Sequence, residues 1–185
     1  MALATAFAAA PPAEDVFAFI PAGGRTLLAQ ALDKAPPAEV RGITESRRSS
    51  DEWLAYLGQH ESALPGVKAL DAKQRRTLAD YLAHHMPLPP GKAAASASRA
   101  GWEKALAPDG RDLALEYCQS CHIITVVITQ DRAKAAWLGT MNKPSHVGIK
   151  LTKEQRDELA DYLVVNAAIP IDQVPEDLRA GGATY

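Results

Sequence analysis

Apolar residues recur along this chain at helical spacing, in blocks separated by proline, glycine and polar loops. From Gly24, the positions Leu27, Leu28, Ala31 and Leu32 form one apolar stripe. A polar, proline-containing loop follows, then Arg48 and a short amphipathic run around Trp53, Leu54 and Leu57. Asp71 and Gln74 have the spacing of a capping box, which satisfies the free N–H groups at a helix start. The helix they open carries its stripe on Leu78, Tyr81 and Leu82. It ends at Met86 to Pro90, because proline has no N–H and its ring clashes with the preceding turn. Gly91 to Ala100 is mostly Ala, Ser, Lys and Gly and reads as a linker.

Beyond the linker the same landmarks return in the same order. Gly110-Arg111 matches Gly24-Arg25, Arg132 and Trp137-Leu138 match Arg48 and Trp53-Leu54, and Leu151-Thr152 matches Leu70-Asp71. Leu159 to Leu163 repeats Leu78 to Leu82 letter for letter, with Thr152 and Gln155 as its capping box. Four landmarks in one order point to an internal duplication. The expected boundaries are a flexible segment over 1–23, a first domain over 24–87, a linker over 88–105, a second domain over 106–169 and a docking tail over 170–185.

Length and composition narrow the picture. The 185 residues are 47% apolar, enough for one domain or two small ones. A net charge of −2 argues against nucleic acid as a partner, and no apolar run approaches the length of a membrane span. Ala2 to Ala10 is small and apolar like the end of a secretory leader, but it is short and has no basic start; a leader remnant and a plain chain end both fit it.

The chemistry concentrates in Cys118-Gln119-Ser120-Cys121-His122, at the end of a run in which Asp109 is an N-cap candidate and Leu113, Tyr117 and Cys121 recur every four residues. On a helix, positions i, i+3 and i+4 share a face, so two thiols and an imidazole converge. This is the arrangement that attaches a c-type haem: each sulfur closes a thioether and the histidine ligates iron. These are the only two cysteines, too few for a structural zinc site. A thioredoxin-type pair sits where a strand enters a helix; a disulfide or two idle thiols is the plain alternative. Where the second half has this motif, the stretch near Leu32 to Pro36 has neither cysteine nor histidine. The first half is therefore expected to fill its centre with side chains, the alternative being a non-covalent cofactor held by His60, His84 or His85.

The second half, from about Gly101 to Ile169, resembles the class I cytochrome c domain. The resemblance rests on the Cys118 to His122 motif, the Trp137 helix, a methionine shortly after it, and the closing Leu159 to Leu163 helix with Tyr162. It implies an all-α fold: two tandem cytochrome c-like helical domains, of which only the second carries haem. One covalent haem c would be held by Cys118 and Cys121, with His122 as proximal iron ligand. The chain departs from the family after His122, where Ile123 to Thr129 is a β-branched run without the usual glycine and proline. That run reads as a buried loop wall over the haem, or as an apolar patch for a partner.

Two residues compete for the sixth ligand. Met141 follows the Trp137 helix between Gly139 and Pro144, which allow a loop to aim its sulfur; His146 is the alternative and would give a lower potential. The expected function is that of a periplasmic electron-transfer cytochrome, the haem subunit or dedicated acceptor of a dehydrogenase, working in a hetero-oligomer with that redox partner. On its own it is not expected to be an enzyme. The competing classes are a haem enzyme or sensor with an open or labile sixth position, acting on peroxide, a gas or a sulfur compound, and a thiol–disulfide oxidoreductase using Cys118 and Cys121.

Overall fold

The computed structural model describes residues 15–92, 98–120, 123–146 and 148–179. Among these residues the chain is all-α, with ten α-helices and no strand. The first half contains α1 (Gly24–Leu32), α2 (Pro37–Thr44), α3 (Ser50–His60), α4 (Pro65–Lys68) and α5 (Ala72–His85). After α6 (Arg99–Ala105), the second half contains α7 (Gly110–Leu113), α8 (Thr125–Ile128), α9 (Lys134–Met141) and α10 (Lys153–Asn166). The three longest helices, α3, α5 and α10, each start on a capping box, formed by Ser49 with Glu52, Asp71 with Gln74 and Thr152 with Gln155. No helix among the described residues is long and apolar enough to cross a membrane.

Two apolar cores result, one per half. The first gathers Leu28, Ile43, Trp53, Leu57, Leu78 and Leu82; the second gathers Leu113, Ile128, Trp137, Leu159 and Leu163. In each half the opening helix crosses the closing helix at a glycine. A side chain at Gly24 would run into Tyr81, and one at Gly110 into Tyr162. Only glycine permits so close a crossing, so the two crossings are fixed by composition at one position each.

The halves also exchange their leading segments. Ile20 is buried in the second core, with Phe17 and Phe19 packed against it, while Trp102 and Leu106 are buried in the first. Each such apolar side chain contributes about 1.5–3 kcal/mol. Tyr162 donates its hydroxyl to the Pro21 carbonyl at 2.6 Å, and Tyr81 donates to the Ala107 carbonyl at 2.8 Å. Helices α5 and α10 then meet with the same reciprocity: His85 pairs with Glu158 at 2.8 Å, and Asn166 donates to Thr77 at 2.8 Å. Matching positions thus contact each other both ways across the boundary, which is the pattern of a two-fold interface.

Three expected segments differ in the structure. Within residues 15–22 of the supposed flexible segment, Ile20 is buried in the other half's core with Phe17 and Phe19 packed against it, while Asp15, Val16 and Ala18 stay exposed. The end of the supposed linker is helix α6, capped by Ser98, whose side chain accepts from Gly101 N–H. The β-branched run after His122 is a single helical turn, α8, rather than a loop; burial of Ile124, Thr125 and Ile128 outweighs its low helix propensity. In the tail, Val174 is buried and Leu178 accepts from Thr125 Oγ1 at 2.6 Å, so the described part straps its own half. Residues 180–185 lie outside the described residues.

Candidate functional site

Helices α7 to α10 leave an open cleft between them. It has a volume of about 200 Å³ and is walled by Tyr117, Cys118, Val126, Val127, Trp137, Met141, His146, Ile149, Leu159 and Leu163. Its exposed walls are apolar, with Gln130, Arg132 and Thr140 as polar groups at the lining. That volume is below the ~300–1,000 Å³ of small-molecule and cofactor sites, and the cleft opens to solvent.

Cys118 reaches this wall from an unusual local structure. Asp109 caps α7 by accepting from Arg111 N–H and Asp112 N–H, and the helix then widens into a π-helical turn over Ala114–Cys118. The turn closes through Gln119 N–H on the Ala114 carbonyl at 3.3 Å. Such single π-turns inside helices are frequent at functional sites. The α-helical periodicity expected through Tyr117 is therefore broken just before the motif. Cys121 and His122 lie outside the described residues. On either side of them, Gln119 Oε1 accepts from Ile124 N–H at 2.7 Å, holding the flanking chain together.

The structure brings both sixth-ligand candidates to the same cleft. Met141, nearly buried, is the last residue of α9, and His146 lies in the loop beyond, its ring near Ser145 Oγ at 3.2 Å. Sequence reasoning missed the group that holds this loop. Arg156, on the first turns of α10, donates to the Met141 carbonyl with one nitrogen and to the Ile149 carbonyl at 2.9 Å with another. At the rim, the Arg132 guanidinium lies 5.2 Å from the Trp137 ring centre and donates to Thr140 and Gln130. The Trp137 indole N–H is buried without a hydrogen-bond partner.

The corresponding part of the first half is closed. Leu57, four residues past Trp53 as Met141 is four past Trp137, is fully buried. Leu78 and Leu82 stand in the repeated pentapeptide where Leu159 and Leu163 wall the cleft, and both are fully buried. Arg48 lies 4.5 Å from the Trp53 ring centre, as Arg132 lies near Trp137, but Tyr56 and His60 stack beside it with centroids 4.0 Å apart. The Trp53 indole N–H is orphaned as well.

The three histidines of the first half are not gathered around a common site. His60 pairs with Glu39 at 2.8 Å, while His84 and His85 face α10, pairing with Asp161 at 3.0 Å and Glu158 at 2.8 Å. His84, Asp157 and Asp161 bring potential ligand atoms within 4.8 Å of one another. Lys134 already lies there, 3.0 Å from Asp157 and 2.8 Å from Asp161, so the cluster is neutralised by an ammonium group. The bond to Asp161 raises the His84 pKa, although burial opposes it. Burial alone would raise the Asp161 carboxyl, but its bonds to His84 and Lys134 hold it below the usual range. Asp109 is buried beside Asp112, and its carboxyl is pushed up to about 6. It also accepts from Arg25 N–H at 2.8 Å, so one carboxylate serves the first turns of both α1 and α7.

No protein-family model, curated protein or solved structure matches this chain.

Proposed function

We propose that this chain is a periplasmic electron-transfer c-type cytochrome, built as a duplicated cytochrome c-like fold whose second copy holds one covalent haem and whose first copy holds none. In this reading Cys118 and Cys121 form the thioethers, His122 is the proximal iron ligand, and Met141 is the distal ligand with His146 as alternative. The observation that carries it is the contrast between the halves at matching positions. Leu57, Leu78 and Leu82 are fully buried in the first core, whereas Met141, Leu159 and Leu163, although themselves buried, line an apolar cleft that Cys118 and His146 also line.

The residues present fit a haem. The donor set offers a thiol of the attachment motif, a thioether and an imidazole around one cleft with dry walls. The orphaned Trp137 N–H and the Arg132 guanidinium at the rim suit carboxylate groups on a bound molecule. The Trp53 N–H is orphaned too, so the fit rests on the cleft and its donors rather than on that atom. Haem c would supply a one-electron couple, and a thioether opposite histidine raises its potential, as an acceptor of substrate electrons requires.

The chain's own contribution is to bind, bury and choose ligands. Apolar residues from α8, α9 and α10 exclude water, and an apolar surrounding shields charge less well than water and so magnifies nearby charges. The partner expected is a dehydrogenase catalytic subunit. The cleft is walled by residues of the second half, leaving its mouth free of the first.

The purified protein tests this directly. One haem per chain should survive denaturation and extraction with acidified organic solvent, and its low-spin spectrum should be indifferent to carbon monoxide. Haem lost to the solvent, or two titratable thiols, refutes the reading; ready carbon monoxide binding favours the enzyme or sensor class instead.

A further inference from the structure

The loop from Met141 to Ile149 holds both residues able to meet an iron in the cleft, so whatever fixes this loop also fixes the sixth ligand. Its two ends share one anchor. The Arg156 guanidinium donates to the Met141 carbonyl and, at 2.9 Å, to the Ile149 carbonyl. Met141 and Ile149 both wall the cleft. Among the described residues Arg156 makes no ion pair, unlike Lys134 on the same face of the domain, so its charge is met by these two carbonyl dipoles. Arginine suits this task because its planar fork presents several N–H donors in fixed directions. Met141 and Ile149 also pack in the core with Leu159 and Leu163, and the loop's backbone hydrogen bonds are short-range: Asn142 N–H to Leu138, Lys143 N–H to Thr140, His146 N–H to Lys143, Ile149 N–H to His146 and Leu151 N–H to Ile149. None of these hydrogen bonds ties the loop to α10, whereas those of Arg156 do. The helix itself is held by its Thr152–Gln155 capping box and by Leu159 and Leu163 in the core, so the anchor is rigid.

We propose that Arg156 is the positioning residue for the distal ligand: it clamps the ends of the 141–149 loop to α10 and so keeps the Met141 sulfur at the iron. This rests on the haem reading above. Arg156 touches neither iron nor haem in this role; it acts through the backbone of Met141. Its fixed positive charge also favours the reduced, less positive state of a nearby iron, so clamp and charge push the potential the same way.

The test uses the full-length ferric holoprotein and added imidazole as probe, because imidazole captures an iron whose sixth ligand is loosely held. Arg156→Gln should bind imidazole at least tenfold tighter than the parent and weaken the thioether-to-ferric charge-transfer absorption. Arg156→Lys keeps the charge but offers no planar fork. It should retain most of the parent's potential yet still bind imidazole more tightly, which separates the clamp from the charge. If Arg156→Gln melts earlier but binds imidazole like the parent, Arg156 is merely structural and the proposal falls. If Arg156→Lys matches the parent in imidazole affinity, the fork is irrelevant and the clamp is refuted. A Met141→Ala control separates the two levels of inference. If that variant binds imidazole no better than the parent, Met141 is not the ligand and the failure lies in the sixth-ligand assignment; if the parent carries no covalent haem, it lies in the haem reading itself.

Discussion

Replacing Gly110 by alanine puts a methyl group where α7 and α10 touch. The added Cβ would lie 2.7 Å from Tyr162 Cγ, with Tyr162 Cβ closer still, against 3.4–4 Å for ordinary contact. The helices must therefore separate by about 1 Å or more, because turning the Tyr162 ring leaves its Cβ in place. Overpacking of this kind costs about 1–3 kcal/mol. That separation also weakens the Tyr162 hydrogen bond to the Pro21 carbonyl, about 0.5–1.5 kcal/mol. The change from glycine to alanine returns up to about 1 kcal/mol of helix propensity, less at this first-turn position. The net expectation is a loss of about 1–4 kcal/mol, or a melting point lower by roughly 2–4 °C per kcal/mol for a chain of this size. Gly58, inside α3, provides the opposite control: nothing lies within 4 Å of its added Cβ. Gly58→Ala should stabilise by about 0.5–1 kcal/mol. Paired urea and thermal melts of the two variants, on the same preparation, read both signs. A Gly110→Ala protein as stable as the parent would mean that the helices do not cross where the structure has them.

Further outcomes follow from the cleft and from the boundary between the halves. Met141→Ala should lower the reduction potential markedly while leaving the haem attached, and His146→Ala should leave the low-spin spectrum intact; each 59 mV lost is a tenfold shift in a one-electron equilibrium. If His146→Ala alone turns the haem high-spin, His146 is the ligand. Stability should fall as pH rises, first between about 4 and 6 through Asp109 and then above 6.5 through His84. His84 has a raised pKa when folded, so its contribution is complete below the ordinary histidine value of 6.5 and is lost as pH climbs through the raised one. Asp109 has the same sign: raised from 3.8 to about 6, it favours the folded chain least once ionised above that pH. The lowered Asp161 acts oppositely, losing its contribution as pH falls through the acid range. Melts from pH 4 to 8 should show His84→Gln flattening the upper limb; an unchanged limb would remove His84 from the account.

Much of this molecule was legible locally. The helix starts at Asp71 and Thr152 follow from side chains three residues apart, and the stripes on α1, α5 and α10 follow from spacing. The attachment motif and both sixth-ligand candidates are visible as residue types at short range. What the sequence left open is decided by contacts between distant positions. The break at Ala114–Cys118 could not be read from a periodicity that runs smoothly through it. The β-branched run after His122 became helical because its burial against the tail and the core outweighs a weak local preference. Arg156 gave no signal, since an arginine on an amphipathic helix ordinarily faces water, and only the fold brings two carbonyl oxygens to it. The same holds for the exchange of leaders. Ile20 and Leu106 look like stray apolar residues beside glycine and proline until each is seen in the other half's core. Capping and periodicity are settled within a turn or two of chain, so sequence alone determines them. Which surfaces meet, and so where a cleft stays open and where leucine fills it, depends on many side chains packing at once, and that only the tertiary structure decides.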